Sequence, residues 1–387
     1  MPQLMLSTLR DQTKIGFLGP APPFRGGISR FALELAKTYQ EQGAQVQMFT
    51  FIRQYPVLLF PGKSQTSDFQ DTSLLPTQRI LIPYLPHTWN NALRCIQKWQ
   101  PEILVISYSL PFFAPAYAWI GNRLKGIRII YLAHNIEFHE AWPGANLLTR
   151  LAFQPSERIV VLSESCLKAL HRRMPASIAS KGVKGFHPIY DCFRQTKPDS
   201  VPKPDLTPTV LFFGLIKPYK GLDVLIKAMK QVRKRLPVIR LLIAGEVYQG
   251  DKYYQSLIRQ LKLQDIIETH FRFIPDQEVE AFFRRSQVCV LPYKTATQSG
   301  IIAMAYSFDL PLIASDVGGL SEYIESGKTG LLVPPNDPEA LAAAIIRYFE
   351  SGLHSAMSKT IPEYRKRFSW DKLAEIVLLN QPTTDDQ

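Results

Sequence analysis

Thr209-Val210-Leu211-Phe212-Phe213-Gly214-Leu215-Ile216-Lys217-Pro218-Tyr219-Lys220-Gly221 decides the fold. Five β-rich residues run into a glycine, a proline-marked turn and a second glycine, and a helical spacing of apolar residues follows. The pattern reads as strand, tight turn, helix. The same arrangement opens the first half, where strand Lys14–Leu18 gives way to Gly19-Pro20-Ala21-Pro22-Pro23-Phe24-Arg25-Gly26-Gly27 and a helix over Ile28–Gln42. Two such openings, each followed by β-rich runs alternating with amphipathic segments, predict an α/β chain of two doubly wound parallel sheets.

Working outward, the first half offers further strands at Gln45–Phe51, Ile103–Ser107, Arg128–Ala133 and Arg158–Leu162. The second offers Arg240–Ala244, Val288–Leu291, Leu312–Ser315 and Gly330–Val333. Between them Lys197–Pro208 holds four prolines and several charges, which suits a linker. The expected division is therefore a first domain over 1–196, a linker over 197–208 and a second domain over 209–367. A last helix, capped by Ser369 within 368–380, is expected to return to the first domain, leaving Gln381–Gln387 as a tail. From Ile52 to Trp89 the pattern breaks into Pro, Gly, Ser and Thr with scattered aromatics, including Phe60-Pro61-Gly62-Lys63, and reads as one long irregular segment.

A length of 387 residues suits two cores better than one, and 46% apolar with 20% charged residues excludes wholesale disorder, collagen and coiled coil. Cys95, Cys166, Cys192 and Cys289 lie far apart, without the spacing of a zinc site or redox pair, so a reducing compartment is expected. Met1–Thr13 lacks the apolar run of a signal peptide, and a cytoplasmic location follows as an expectation. Ile103–Ile120 is uncharged and long enough to raise the question of a membrane span, but Pro111 and Pro115 divide it into a buried strand and a helix. Residues 1–200 hold 22 Lys/Arg against 12 Asp/Glu, a surplus of +10, whereas the rest carries only +2. That asymmetry suits an anionic membrane surface or phosphorylated lipid, or is simply a solvated cationic face. No nucleic-acid signature accompanies it.

Candidate chemistry gathers at three turns. Gly26 and Gly27 open a helix whose N-terminal amides suit an anion or sugar hydroxyls, though any tight turn uses glycine. Lys217 and Lys220 flank the second opening, as diphosphate ligands or as surface lysines. Thr297-Gln298-Ser299-Gly300 begins an uncharged helix, as a second anion site or as a plain cap by Ser299. His134 closes a buried strand, in an active site or as a structural residue. Glu137, His139 and Glu140 are set aside as metal ligands, and no metal site is assigned.

Read in order, Gly214, Lys220-Gly221-Leu222-Asp223, Ala244-Gly245-Glu246, Pro292-Tyr293, Pro311-Leu312-Ile313-Ala314-Ser315-Asp316, Gly318-Gly319, Glu322, Gly327, Gly330, Val333-Pro334-Pro335 and Asp337-Pro338-Glu339-Ala340 resemble glycosyltransferase family 4. Gly26-Gly27-Ile28-Ser29-Arg30 and Ala133-His134-Asn135 extend the resemblance over nearly the whole chain. It implies a GT-B fold with two Rossmann-like domains facing across a cleft. It further implies a retaining transfer from a nucleotide-diphosphate sugar, which is co-substrate and not a resident cofactor, with no metal required. The resemblance makes Lys220 the phosphate lysine and His134 the histidine beside the transferred sugar, both catalytic. Donor-side residues are then Gly26, Gly27, Gly214, Lys217, Lys220, Gln298, Ser299 and Gly300; Arg30 and Asn135 lie on the acceptor side. The acceptor is expected to be a glycan or a lipid-linked sugar.

Two departures stand out. The family's paired glutamates fall at Ala296 and Met304, and the arginine after its phosphate-site glycine falls at Leu215. A branch of the family carries Thr-Gln-Ser-Gly here, which implies that Lys217, Gln298 and Ser299 replace the missing groups, although Met304 offers the donor ribose no strong acceptor. Two alternatives to a transferase therefore stand: a catalytically silent partner of another transferase, and a sugar-nucleotide epimerase, which would need acid and base groups near Ser299.

Overall fold

The computed structural model describes residues 12–56, 65–66, 75–137, 143–194, 207–248 and 250–379. Outside these lie most of Met1–Thr13, Phe60–Lys63, His139, Glu140, most of the proline-rich linker and the tail Gln381–Gln387. Two compact units form, one of Met1–Phe186 with Trp370–Gln387 and one of His187–Ser369. The division therefore falls at Phe186/His187, ahead of the proline-rich stretch: Ile189 N–H donates to Phe368 O (3.1 Å) and His187 N–H to the Tyr323 hydroxyl (2.8 Å), which ties this segment into the second unit.

In the first unit seven parallel strands, β1 (Lys14–Leu18), β2 (Gln45–Phe51), β3 (Thr77–Leu81), β4 (Ile103–Tyr108), β5 (Arg128–Ala133), β6 (Arg158–Val161) and β7 (Gly182–Lys184), are ordered β3-β2-β1-β4-β5-β6-β7. The central strand β4 is buried throughout, as its unbroken apolar run requires. After it, Pro111–Phe113 makes one tight turn and Ala114–Gly121 a short helix, so the uncharged run is strand and helix. No helix among the described residues is long and apolar enough to cross a membrane.

Two corrections belong here. The segment read as irregular contains β3, and the following helix starts at His87. Strand β7 also went unread.

The second unit holds β8 (Thr209–Phe213), β9 (Arg240–Ala244), β10 (Ile267–His270), β11 (Val288–Leu291), β12 (Leu312–Ser315) and β13 (Gly330–Val333), parallel in the order β10-β9-β8-β11-β12-β13. Here β10 is the strand that was missed. Each unit has its own apolar core.

The last helix, Trp370–Leu378, belongs to the first unit. It buries Leu373, Ala374, Val377 and Leu378, and such side chains contribute roughly 1.5–3 kcal/mol each for the larger ones. Tyr39 donates its hydroxyl to Ala374 O (2.9 Å) and Arg158 its guanidinium to Ile376 O (2.8 Å), satisfying carbonyls near the helix end.

Candidate functional site

In an open parallel sheet, ligands bind beyond the carboxyl ends of the strands where the strand order reverses, because adjacent loops diverge there. That point lies between β1 and β4 in the first unit and between β8 and β11 in the second. Sequence-predicted residues line both points.

In the second unit the turn after β8 and the loop after β11 are pressed together. Gly221 adopts φ 68°, and a Cβ there would lie 1.9 Å from Pro292 O, so only glycine fits. Lys294 N–H donates to Tyr219 O (2.7 Å), and its ammonium pairs with Asp223 at 2.9 Å. Lys220 Nζ sits 5.5 Å from the centre of the Tyr293 ring and 3.6 Å from where a Cβ on Gly214 would stand. Burial pushes the Lys220 pKa down to about 8; the nearby Lys217 charge acts in the same direction and Cys289 opposes both. Among the described residues no carboxylate pairs with Lys220. Lys217 lies over the Tyr248 ring at 4.3 Å.

The helix Gly300–Ser307 starts beside this turn, since Ile301 Cδ1 would touch a Cβ on Gly214 at 3.0 Å. Ser299 caps it, its Oγ accepting from Ile301 N–H at 3.3 Å. Thr297 is buried and Gln298 half-buried. A Cβ on Gly300 would lie 3.0 Å from His187 Nε2, so an imidazole backs this helix start. Burial pushes the His187 pKa down to about 4, against a 3.4 Å contact of Nδ1 with Pro188 O that favours the proton. Met304 is buried in the same helix.

In the first unit, Gly26 (φ 111°) precedes the helix Gly27–Glu41, and a Cβ on either Gly26 or Gly27 would meet no described residue within 4 Å. Arg30, one turn on, pairs with Glu34 at 3.4 Å. His134 follows β5: its N–H donates to Tyr108 O (2.8 Å), and its buried ring stands edge-on to Phe31, centroids 5.1 Å apart. Phe31 in turn meets Trp370 at 5.1 Å, so the returning helix braces the ring that packs on His134. Asn135 Nδ2 donates to Ser109 O at 3.4 Å. Burial works against the Glu137 carboxylate, but Arg172 and Arg173 bond to it and hold its pKa below the usual range. Glu137 is thus an ion-pair residue, and no metal-ligating cluster of three or more forms among the described residues.

The structure therefore assembles Gly214, Lys217, Lys220, Ser299 and Gly300 in one unit, and Gly26, Gly27, Arg30, His134 and Asn135 in the other. Sequence reasoning passed over His187 and the contacts of Tyr293. The signal for Tyr293 was its position two residues after β11, six residues before Ser299.

Two family models match the chain: Glycosyltransferase Family 4 over residues 25–181 and Glycosyl transferases group 1 over 207–351. Among relatives, the D-inositol 3-phosphate glycosyltransferase of Pseudarthrobacter chlorophenolicus is 26% identical, with 91% of this chain and 89% of that protein covered. Among solved structures, sucrose-phosphate synthase from Thermosynechococcus elongatus superposes with TM-score 0.72 at 20% identity, covering 94% and 96% of the two chains. Anabaena HepE in complex with UDP-glucose gives 0.74 at 15% identity over 94% and 98%. At such identities the structural likeness shows the fold alone.

Proposed function

The chain belongs to the family 4 glycosyltransferases, and from that premise we propose that it moves a sugar with retention from a nucleotide-diphosphate donor to a glycan or lipid-linked acceptor in surface polysaccharide or glycolipid synthesis. The bond from the anomeric carbon to the β-phosphate oxygen breaks, a bond to an acceptor hydroxyl oxygen forms, and the acceptor's proton leaves with the nucleoside diphosphate. One observation carries the donor side: the half-buried Lys220, without a carboxylate partner among the described residues, stands at the strand-order reversal beside a helix N-terminus. Lys220, with Lys217 and the Ser299-capped amides, neutralises the departing diphosphate, the charge that most needs stabilising. On this reading transfer needs no metal and survives a chelator.

On the acceptor side, His134 stands beside the transferred sugar, and the exposed glycines Gly26 and Gly27 let donor phosphate or acceptor approach. HepE, solved with UDP-glucose, makes a UDP-sugar the first donor to try. The cationic first half also favours contact with an anionic membrane leaflet, where the helix Ala145–Phe153 exposes Leu147 and Leu151, 60% and 43% accessible, beside Arg150. Liposomes of acidic lipid should retain the protein at low salt; failure removes this part of the reading.

A screen of nucleotide sugars by thermal shift, then of diphosphate release with the best binder, tests the whole proposal. Binding with release accelerated by a lipid extract supports it. Binding without release at saturating acceptor favours the second reading, a silent donor-binding partner, for which buried Met304 in place of a family glutamate is the specific argument.

A further inference from the structure

We propose that Tyr293 is a positioning residue that joins the two donor loops, its ring carrying the Lys220 ammonium and its hydroxyl setting the Ser299 cap. The inference rests on the reading of Lys220 as the phosphate lysine and goes beyond it. Tyr293 is 2% exposed and lies two residues beyond the end of β11. Lys220 Nζ is 5.5 Å from its ring centre, within the range of a cation–π contact. Its hydroxyl lies 3.1 Å from Ser299 Oγ, the same oxygen that accepts from Ile301 N–H. Tyr219, next to Lys220, meets the Tyr293 ring edge-on at 6.2 Å and 88°. One side chain therefore touches the lysine turn, the neighbouring aromatic and the helix cap.

An ammonium drawn partly out of water, as half-buried Lys220 is, costs free energy unless something favourable faces it. The groups that face Lys220 are Lys217 from its own turn, Cys289 from β11 and Tyr293 after it. Lys217 repels the charge. The Cys289 thiol is held protonated by burial and supplies no counter-charge. Asp223, the nearby acid, is engaged by Lys294 at 2.9 Å and Lys227 at 3.9 Å. The negative face of the Tyr293 ring is thus the favourable partner that keeps Lys220 charged until a diphosphate arrives.

The test is calorimetric titration of the full chain with UDP, GDP and ADP alongside, from pH 7 to 9.5, on wild type, Tyr293→Leu, Tyr293→Phe, Ser299→Ala and Lys220→Ala, each checked for a cooperative melt. Tyr293→Leu removes the ring, so the pH at which affinity begins to fall should drop by about 0.5–1 unit. Tyr293→Phe keeps ring and volume: its midpoint should stay in place while affinity falls about 3- to 10-fold at every pH, matched by Ser299→Ala and not deepened in the double variant. A purely structural Tyr293 would weaken binding in the leucine variant with no change of midpoint. An unmoved midpoint in Tyr293→Leu, or wild-type affinity in Tyr293→Phe, overturns the proposal. Wild-type affinity in Lys220→Ala, or no binding of any of the three nucleotides, instead sinks the reading of Lys220 itself and takes Tyr293 with it.

Discussion

Gly221 and Gly318 of the second unit and Gly27 of the first do opposite things. In the second unit they sit where the chain meets itself: a Cβ on Gly221 would lie 1.9 Å from Pro292 O, and one on Gly318, at φ 53°, 1.7 Å from Ala296 O. In the first unit a Cβ on Gly27 would meet no described residue within 4 Å, and its backbone is not left-handed. Fold packing demands glycine at Gly318 and makes no such demand at Gly27. A small residue that the described packing does not require is one that the approach of a ligand would require, which is the role proposed for Gly27.

The sharpest break of that comparison is a pair of alanines. Gly318→Ala forces a Cβ into a backbone oxygen in a conformation L-residues avoid, and should cost about 4 kcal/mol or more, lowering the melting temperature by roughly 10 °C or preventing folding. Gly27→Ala, at a helix start, should leave the melting temperature unchanged or slightly raised while transfer falls at least about tenfold. Unfolding by the second variant, or full activity in it, would erase the distinction.

The same contrast of buried and open explains what the sequence disclosed. Every strand read from sequence has an apolar run, and the three that were missed are all edge strands. In β3, Thr77, Gln78 and Arg79 are exposed and only Ile80 and Leu81 are buried; β10 and β7 are shorter and as mixed. These three edge strands bury too little to leave a periodic signal, whereas the edge strand β13, mostly buried, was read. The candidate turn residues Gly214, Lys220 and Ser299 could be named because they fall in the ordered string, and in the Thr-Gln-Ser-Gly stretch, that resemble the family; glycine and a capping serine alone suit any turn. His187 and the contacts of Tyr293 were not legible, because they join residues distant in sequence: His187 backs Gly300, and Tyr293, itself part of the family-like string, reaches Lys220.

Next in size is the chemistry. Lys220→Ala should lower transfer about 10²- to 10³-fold, the scale for removing one group that stabilises developing negative charge, and should weaken UDP binding with it. His134→Ala should cost about 10²-fold in transfer and leave UDP affinity within about twofold, because the two residues belong to different units. Initial rates and calorimetry on both variants check this, and a reversed pattern would exchange the roles assigned to the two units.

Acid separates the units further. His187 is buried neutral, its pKa pushed down to about 4 from 6.5, so between those values the unfolded chain binds more protons than the folded one. Its stabilising contribution is complete above about pH 6.5 and is lost as pH falls towards 4. Roughly 3 kcal/mol is at stake over that window. Urea melts of wild type and His187→Gln at pH 7 and 4.5 should show the loss in the wild type and much less of it in the variant, with the second unit giving way first. Equal acid sensitivity in both proteins would count against it.

The smallest effect is the most diagnostic, since it reads one proton on one group. Diphosphate binds the charged form of Lys220, and in the free protein burial has pushed that pKa down to about 8. Raising the pH through 8 therefore discharges the free lysine first, and UDP affinity should fall by up to about tenfold per unit from pH 8 towards the bound-state pKa. Below pH 8 the lysine contributes no slope. Lys220→Arg keeps a charge that does not titrate in this range, so whatever affinity it retains should stay flat to pH 9.5. Tight binding with a slope in wild type and none in the arginine variant would tie the crowded turn of the second unit to the donor phosphates; a slope that persists in the arginine variant would move the titration to another group and leave Lys220 a packing residue like the glycines around it.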